Sequence, residues 1–171
     1  GRDRVGTCSD GSAPFNDPRL GEQWHYKNTG DESLVAPIKE GCDINVEPAW
    51  KLCTGDPSII VAVMDEGVMY RHEDLAANMW VNQAELNGQK GVDDDGNGYV
   101  DDIYGYNFAK DQGEITWTDP QDVGHGTHVA GTIAAVNNNG IGVCGIAGGS
   151  GNNDGEKNMS EQMFAGRNQT T

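Results

Sequence analysis

Basic residues are scarce in this chain of 171 residues, in which 11 Lys and Arg stand against 27 Asp and Glu and give a formal net charge of −16. Nucleic acids and anionic membranes are bound through basic patches, so this balance argues against both as partners. Acidic chains are often simply well solvated, but clustered carboxylate and carbonyl oxygens are also the ligands that Ca²⁺ prefers. The composition is therefore compatible with a calcium-binding globular protein.

Long apolar runs are absent as well. The longest, IIVAVM at 59–64, is far shorter than the roughly 20 apolar residues that a membrane-spanning helix requires. The opening residues GRDRVGTCSDG contain no apolar stretch of the kind found in signal peptides. We therefore expect no membrane span, and we expect that any export signal has already been removed or was never present.

Cysteine is sparse, with four residues at positions 8, 42, 53 and 144. Four cysteines allow three complete pairings, and their spacing does not choose among them. Cys42 and Cys53 are near enough in sequence to form a bridge, whereas Cys144, within GIGVCGIAGG, is typical of a small buried apolar side chain. The sequence leaves open whether a disulfide forms.

The chain is long enough for one domain with a substantial core. We expect residues 1–36 to form an extended arm and residues 37–171 to form a partial α/β core. A short helix is predicted within CDINVEPAWKL, with Asn45 as its N-cap and Pro48 in its first turn, where proline is tolerated.

The run SIIVAVM predicts a strand that is buried on both faces, as in a parallel sheet. Asp65 follows it directly, and the carboxyl ends of strands are where α/β proteins build their sites, although DEG would also form a plain turn. Short helical pieces are predicted within 71–90, a strand at IYGYNF, and a helix from Gly126 to about Val136. The final KNMSEQMF predicts a strand before a polar tail.

His125 lies at the amino end of that helix, between Gly124 and Gly126. An imidazole transfers protons near neutral pH and works best when a carboxylate orients its other nitrogen, a role open to Asp65. A zinc site at His125 and His128 is the competing interpretation. It is weak, because helical zinc motifs place two histidines four apart with a glutamate between them.

The stretches VAVMDEGVMYRHEDL and HGTHVAGTIAA resemble the aspartate and histidine motifs of the subtilisin-like serine peptidases, the subtilases. The resemblance extends more loosely from about Phe15 to about Phe164. It implies that the chain is the amino-terminal portion of a catalytic domain with an incomplete three-layer α/β fold, whose mostly parallel sheet is flanked by helices. Asp65 would orient His125, and His125 would be the general base and later the general acid. His128 would then have a packing role.

The resemblance also implies peptide-bond hydrolysis through a serine acyl-enzyme, polypeptide substrates, calcium as a structural cofactor, and an extracellular or cell-envelope location. One departure is Glu66, which stands where the family usually has Thr or Ser and adds negative charge beside the site. A larger departure is the nucleophile, because the family's G-T-S-x-A-x-P motif would fall beyond Thr171. Ser150, in GGSGN, is interpreted as part of a loop.

We therefore expect Asp65 and His125 without their serine, which would come from a carboxy-terminal remainder or a second chain, and no activity of this chain alone. The alternative is an inert calcium-binding fragment or assembly module that forms a homodimer or swapped dimer through its unpaired last strand. That strand carries polar residues where similar proteins are apolar, so we expect it to be exposed, altered or absent; these residues are Glu156, Asn158 and Glu161.

The loop DDDGNGYVDD indicates a calcium site. Its alternating side chains match the first positions of an EF-hand loop, with glycine at the sixth, but the glutamate at position twelve is missing. A solvated acidic turn is the alternative, yet carboxylates this close would repel one another without a cation. The predicted ligands are Asp93, Asp95, Asn97, the Tyr99 carbonyl, and Asp101 or Asp102.

The family resemblance implies a second calcium site between the arm, the H-x-D-L segment and the loop after the histidine helix. Asp17 lies in NDP and Asp74 in HEDL. The loop VNNNGIGV would supply the remaining ligands, which are the Asn139 side chain and the carbonyls of Val136, Ile141 and Val143.

Overall fold

The computed structural model describes residues 14–116 and 124–163. Two single-turn 3₁₀ helices, at Leu20–Glu22 and Ala76–Asn78, accompany the main elements. No helix among the described residues is long and apolar enough to cross a lipid bilayer. In chain order the main elements are α1 (Glu47–Trp50), β1 (Ile60–Asp65), α2 (Gln83–Asn87), β2 (Gly105–Asn107), α3 (His125–Ala134) and β3 (Lys157–Gln162).

The three strands form one parallel sheet in the order β1-β3-β2. Gln162 of β3 is in register with Asp65 of β1 on one side and with Asn107 of β2 on the other. The carboxyl ends of all three strands therefore meet at one edge, which is where α/β proteins place their chemistry. The α/β class and the parallel sheet are confirmed.

Two apolar clusters hold these elements together. The larger joins β1 to α3 and to the segment between them, through Val63, Val68, Leu75, Met79, Ala130 and Ala135. The smaller packs residues of the arm against α1 and the loop after α3, through Tyr26, Val46, Trp50 and Cys144. In the arm, Tyr26 also donates its hydroxyl to the Cys144 carbonyl at 2.9 Å.

The prediction that β1 is buried on both faces is wrong. Val63 is buried, whereas Ile60 is 49% exposed and Met64 is 68% exposed. A continuous apolar run such as IIVAVM is typical of a strand covered by other elements on both faces of a sheet. Within the described residues, α3 is the one helix that makes extensive contact with the strands, and it covers only one face.

The expectation for the last strand is also wrong, because β3 is a regular strand at the centre of the sheet. Its inward side chains are polar and buried, and each has a hydrogen-bond partner. Ser160 Oγ accepts the Val68 N–H at 3.0 Å, Gln162 Oε1 accepts the Thr116 N–H at 2.8 Å, and Asn158 Nδ2 donates to the Ala130 carbonyl at 3.0 Å. Among the described strands, the sheet edges therefore belong to β1 and β2 rather than to the last strand.

Local details differ from the sequence predictions too. Asn45 does not cap α1: the N-cap is Val46, and Asn45 has a left-handed backbone with φ +48°. Helix α3 begins one residue earlier than predicted and ends at Ala134. Cys42 and Cys53 are exposed free thiols, so the bridge between them is absent. Cys144 is buried, as predicted, and Cys8 lies outside the described residues.

Candidate active site

Asp65 ends β1, and its carboxylate makes two different hydrogen bonds. Oδ1 accepts the backbone N–H of Glu66 at 2.8 Å, while Oδ2 lies 2.7 Å from Nδ1 of His125. The first bond fixes the rotation of the carboxylate, and the second directs it at the imidazole. The two residues that were paired from sequence are 60 positions apart in the chain and meet in the fold.

His125 is the first residue of α3, and its side chain is 66% exposed, against 18% for that of Asp65. A carboxylate can only accept, so in the neutral imidazole the Nδ1 facing it carries the ring hydrogen and Nε2 has the lone pair. An oriented imidazole with an accessible basic nitrogen can remove a proton from a hydroxyl group and return it later.

Glycines bring the amino end of α3 this close to β1. A Cβ atom at Gly126 would collide with the Gly67 carbonyl oxygen and lie 3.1 Å from Cβ of Asp65. Gly67 itself has φ +110°, a conformation that other residues rarely adopt. Thr127 adds a further contact, because its hydroxyl oxygen accepts the Met69 N–H at 2.9 Å. The small and hydrogen-bonding residues of HGTH therefore allow the amino end of α3 to pack closely against the loop that follows β1.

Glu66 has a contact that its sequence position did not predict. Its carboxylate accepts the backbone N–H of His125. The N-cap of α3 is Gly124, which has no side chain with which to cap the helix. A carboxylate at a helix amino terminus satisfies an unpaired N–H and interacts favourably with the helix dipole.

His128 is exposed and lies on α3, one turn after His125. It lines a cavity of about 790 Å³ between the arm and the helix, together with His25 and His72. Among the described residues, no cluster of metal-binding side chains contains a histidine. The zinc interpretation gains no support from the geometry.

In the acidic loop, Asp93 and Asp95 come together with Glu85, their carboxylate oxygens all lying within 4.8 Å of one another. Glu85 was missed from sequence because it precedes the loop, in α2. It is 4% exposed and accepts the backbone N–H groups of Asp94 and Asp101 at 2.7 and 2.9 Å. No local pattern in the sequence marks it as a ligand, because its burial and its approach to the loop depend on the packing of α2.

The other predicted ligands divide into two groups. The Asn97 side-chain amide donates to Asp95 and Asp102 at 3.2 and 3.0 Å, so Asn97 and Asp102 lie beside the cluster. Asp101 instead accepts the Gly91 N–H at 3.0 Å. The Tyr99 ring packs against Tyr106 and Phe108, and its carbonyl as a ligand remains a prediction.

The electrostatics of this loop favour a cation. Burial raises the pKa of Asp102, and the nearby charges of Asp95 and Glu85 raise it further. The backbone N–H of Gly98 lowers the pKa of Asp93. In the described part of the chain, none of the ion pairs involves the loop; they are Arg19–Glu22, Lys27–Glu47 and His125–Asp65.

Residues of the second predicted calcium site also lie together. Asp17 and Asp74 are 5% and 2% exposed. Asp17 accepts the Asn138 N–H at 2.7 Å, and Asp74 accepts the Val143 N–H and the Asn139 side-chain amide at 2.9 and 2.8 Å. Burial raises the pKa of Asp74, and the charge of Asp17 adds to this effect.

The loop that links these two aspartates contains the remaining predicted ligands. Val136 donates its N–H to the Asp74 carbonyl at 2.8 Å, and Ile141 donates its N–H to Asn139 Oδ1 at 2.8 Å. Asp17 and Asp74 are thus two buried carboxylates joined by one loop, and neither has a Lys or Arg ion pair among the described residues. Their oxygens accept hydrogen bonds from this loop, and calcium ligation at the site stays a prediction.

Comparisons with known proteins identify relatives of similar sequence. A subtilisin-like protease of Plasmodium vivax is 54% identical over 135 residues, covering 78% of this chain and 19% of the relative. A halolysin-like extracellular serine protease of Natrialba magadii is 35% identical, covering 77% of this chain and 18% of the relative. The chain thus spans about a fifth of the length of these relatives.

A solved structure is similar as well. A serine protease of Aeromonas sobria, crystallised in complex with a chaperone, superposes with a TM-score of 0.64 at 26% identity and covers 98% of this chain and 24% of that chain. The family model described as the subtilase family matches residues 56–158, which include both Asp65 and His125. This protein chain belongs to the subtilase family.

Proposed function

We propose that this chain supplies the aspartate and the histidine of a subtilisin-type serine endopeptidase that hydrolyses peptide bonds. The observation that carries the proposal is the 2.7 Å contact between Asp65 Oδ2 and His125 Nδ1 at the carboxyl edge of a parallel sheet. An aspartate that ends a strand and a histidine that begins a helix meet there in the geometry that a charge-stabilised general base needs.

In this mechanism His125 Nε2 removes the proton from a serine hydroxyl as that oxygen attacks the substrate carbonyl. The imidazolium then returns the proton to the leaving amine, and the cycle repeats with water during deacylation. Asp65 keeps the hydrogen on Nδ1 and stabilises the imidazolium while it exists. Its other oxygen, Oδ1, continues to accept the Glu66 N–H, so the carboxylate does not rotate between steps.

The serine is proposed to come from a carboxy-terminal remainder or from a second polypeptide, and the chain alone is proposed to be inactive. Ser150, in GGSGN, and Ser160, in β3, are both engaged away from His125. Ser150 donates its hydroxyl to Asp154 at 2.6 Å, and Ser160 is buried with its oxygen on the Val68 N–H. Neither makes a hydrogen bond to His125 within the described part of the chain.

Calcium is proposed as a structural cofactor at both acidic clusters, with an extracellular or cell-envelope location. Asp93, Asp95 and Glu85 would hold the first ion, and Asp17 and Asp74 would contribute to the second. Bound calcium would neutralise these carboxylates and hold the loops in place. Relatives from Natrialba magadii and Xanthomonas campestris that are named as extracellular proteases support the location.

A second candidate function is that of an inert calcium-binding fragment or assembly module that forms a homodimer. The exposed apolar face of β1 favours it, because Ile60 and Met64 are 49% and 68% exposed and no other described strand pairs with the outer edge of β1. Unpaired edges and apolar patches of this kind promote association.

Fluorophosphonate labelling followed by denaturing intact-mass analysis distinguishes the two functions. The peptidase proposal expects an adduct on a second, co-purifying polypeptide, and expects that His125→Ala and Asp65→Asn reduce labelling. A single unlabelled species with the mass of this chain would instead favour the assembly module. Analytical ultracentrifugation of the same sample would then show a dimer, and a stable monomer at high concentration would contradict that function.

A further inference from the structure

The proposed mechanism assigns no role to the Glu66 side chain, although its carboxylate contacts His125. Asp65 and Glu66 are adjacent in the chain, and both hold His125. Asp65 contacts the ring through Nδ1, while Glu66 accepts the backbone N–H. His125 is therefore held by its side chain and by its backbone, from two consecutive residues at the end of one strand.

The amino end of α3 needs such a partner. Gly124, the N-cap, adopts a left-handed conformation with φ +63° and makes no side-chain capping bond. Helices usually satisfy their first N–H groups through a Ser, Thr, Asp or Asn at this position. Here the acceptor comes from the neighbouring strand, so the same bond caps the helix and attaches it to the sheet.

The negative charge of the Glu66 carboxylate also lies next to the amino terminus of α3. The ten-residue helix α3 carries a partial positive charge at its amino terminus, which a carboxylate stabilises more than a hydroxyl does. The oxygen of a Thr or Ser at position 66 would lie two atoms closer to the backbone than Glu66 Oε1, so it would not reach the same N–H.

We propose that Glu66 is a positioning residue, whose carboxylate caps α3 across the chain and fixes the backbone of His125 so that its ring meets Asp65. The proposal rests on the proposed function only in treating His125 as the general base. Ring and backbone form a coupled pair of contacts: when the backbone anchor is removed, the first turn frays and the Asp65–His125 distance lengthens.

The test uses the chain itself, labelled with ¹⁵N, with the variants Glu66→Ala and Glu66→Gln. Glu32→Ala, a charge change at an exposed arm residue, is the matched control. The first readout is hydrogen exchange of the His125 amide. Protection is expected to fall about tenfold in Glu66→Ala, the size expected for loss of a charge-assisted hydrogen bond, and to be largely retained in Glu66→Gln, which keeps an acceptor of the same reach.

The second readout is the downfield proton resonance of the His125 ring N–H, which a merely structural cap would not move. We expect it to shift upfield or broaden in Glu66→Ala and to return in Glu66→Gln. Unchanged amide protection in Glu66→Ala would overturn the cap. Lost protection with an unchanged ring resonance would overturn the positioning role.

Two further outcomes are decisive. If Glu66→Ala does not fold, Glu66→Asp decides, because its side chain is one methylene shorter and does not reach the His125 N–H: loss of His125 protection there with retention in Glu66→Gln supports the cap, and full retention in both variants overturns it. If the wild-type ring resonance persists in Asp65→Asn, the Asp65–His125 pair, and with it the proposed function, is wrong. The amide readout then still decides whether Glu66 caps the helix.

Discussion

Gly126 lies directly against Gly67, and this contact sets how closely α3 approaches the end of β1. We predict that Gly126→Ala destabilises the chain by about 1–3 kcal/mol, because the added methyl group would collide with backbone that cannot move away cheaply. It should also abolish the downfield ring resonance of His125. Thermal unfolding and proton NMR measure the two effects.

Gly131 provides the matched control on the same helix. A Cβ atom there meets nothing within 4 Å, and alanine is favoured over glycine in a helix by up to about 1 kcal/mol. Gly131→Ala should therefore raise the melting temperature and leave the ring resonance in place. Equal effects of the two substitutions would show that the contact with Gly67 is unimportant.

We predict that the native Asn158 side chain lowers the free energy of unfolding. It is fully buried and its Nδ2 donates to Ala130, but its Oδ1 has no hydrogen-bond partner among residues 14–116 and 124–163. The isosteric Asn158→Leu removes that unsatisfied oxygen and adds apolar burial, so it should stabilise the chain by about 1 kcal/mol, or about 2–4 °C in melting temperature.

Ser160, two residues further along β3, should behave in the opposite way. Its hydroxyl oxygen accepts the buried Val68 N–H, and Ser160→Ala leaves that N–H without a partner. We expect a loss of about 1–3 kcal/mol. A stabilising Ser160→Ala, or a destabilising Asn158→Leu, would contradict this description of the polar strand.

Glu161 should make stability depend on pH in a defined direction. Burial raises its pKa to about 7, and the charge of Asp102 adds to the effect. The folded state therefore favours the protonated form. Its contribution is complete below the ordinary glutamate pKa of about 4.3 and is lost as the pH rises through about 7.

Glu161→Gln imitates the protonated form at every pH. Its melting temperature in metal-free buffer should match that of the wild type near pH 4, and should exceed it by about 2–4 °C near pH 8. The expected gain is limited to about 1 kcal/mol because the Glu161 side chain is partly exposed and solvent screens its charge. Glu40→Gln, at an exposed position, serves as the control. A difference that shrinks as the pH rises would contradict the prediction.

Calcium is predicted to stabilise the chain at two independent clusters. At a concentration about 100 times the dissociation constant, one site adds about 2.7 kcal/mol, equivalent to about 5–10 °C for a chain of this size. Titration calorimetry should show one binding event fewer in Asp95→Asn and in Asp74→Asn, and no change in Asp31→Asn, which alters an exposed arm residue. If a chelator leaves the melting temperature unchanged, both clusters lack calcium.

The site was predictable to the extent that its chemistry is local. Asp65 follows a recognisable strand, and His125 precedes a recognisable helix, so each could be named from a few neighbouring residues. Glu85 could not, because its carboxylate reaches the acidic loop only through the packing of α2. The same applies to Glu66, whose acceptor role depends on the approach of a helix that is 59 residues away.

The sequence by itself determined the parallel α/β class, the Asp65–His125 pair and the acidic character of the 93–102 loop, because these depend on short patterns of side-chain chemistry. Tertiary structure alone decided that β3 lies at the centre of the sheet, that one face of β1 is exposed, and that Cys42 and Cys53 remain free. Polarity along a strand did not reveal burial here, since Asn158, Ser160 and Gln162 are buried by virtue of hydrogen-bond partners from distant segments. Such partners are set by long-range packing, which no local pattern encodes.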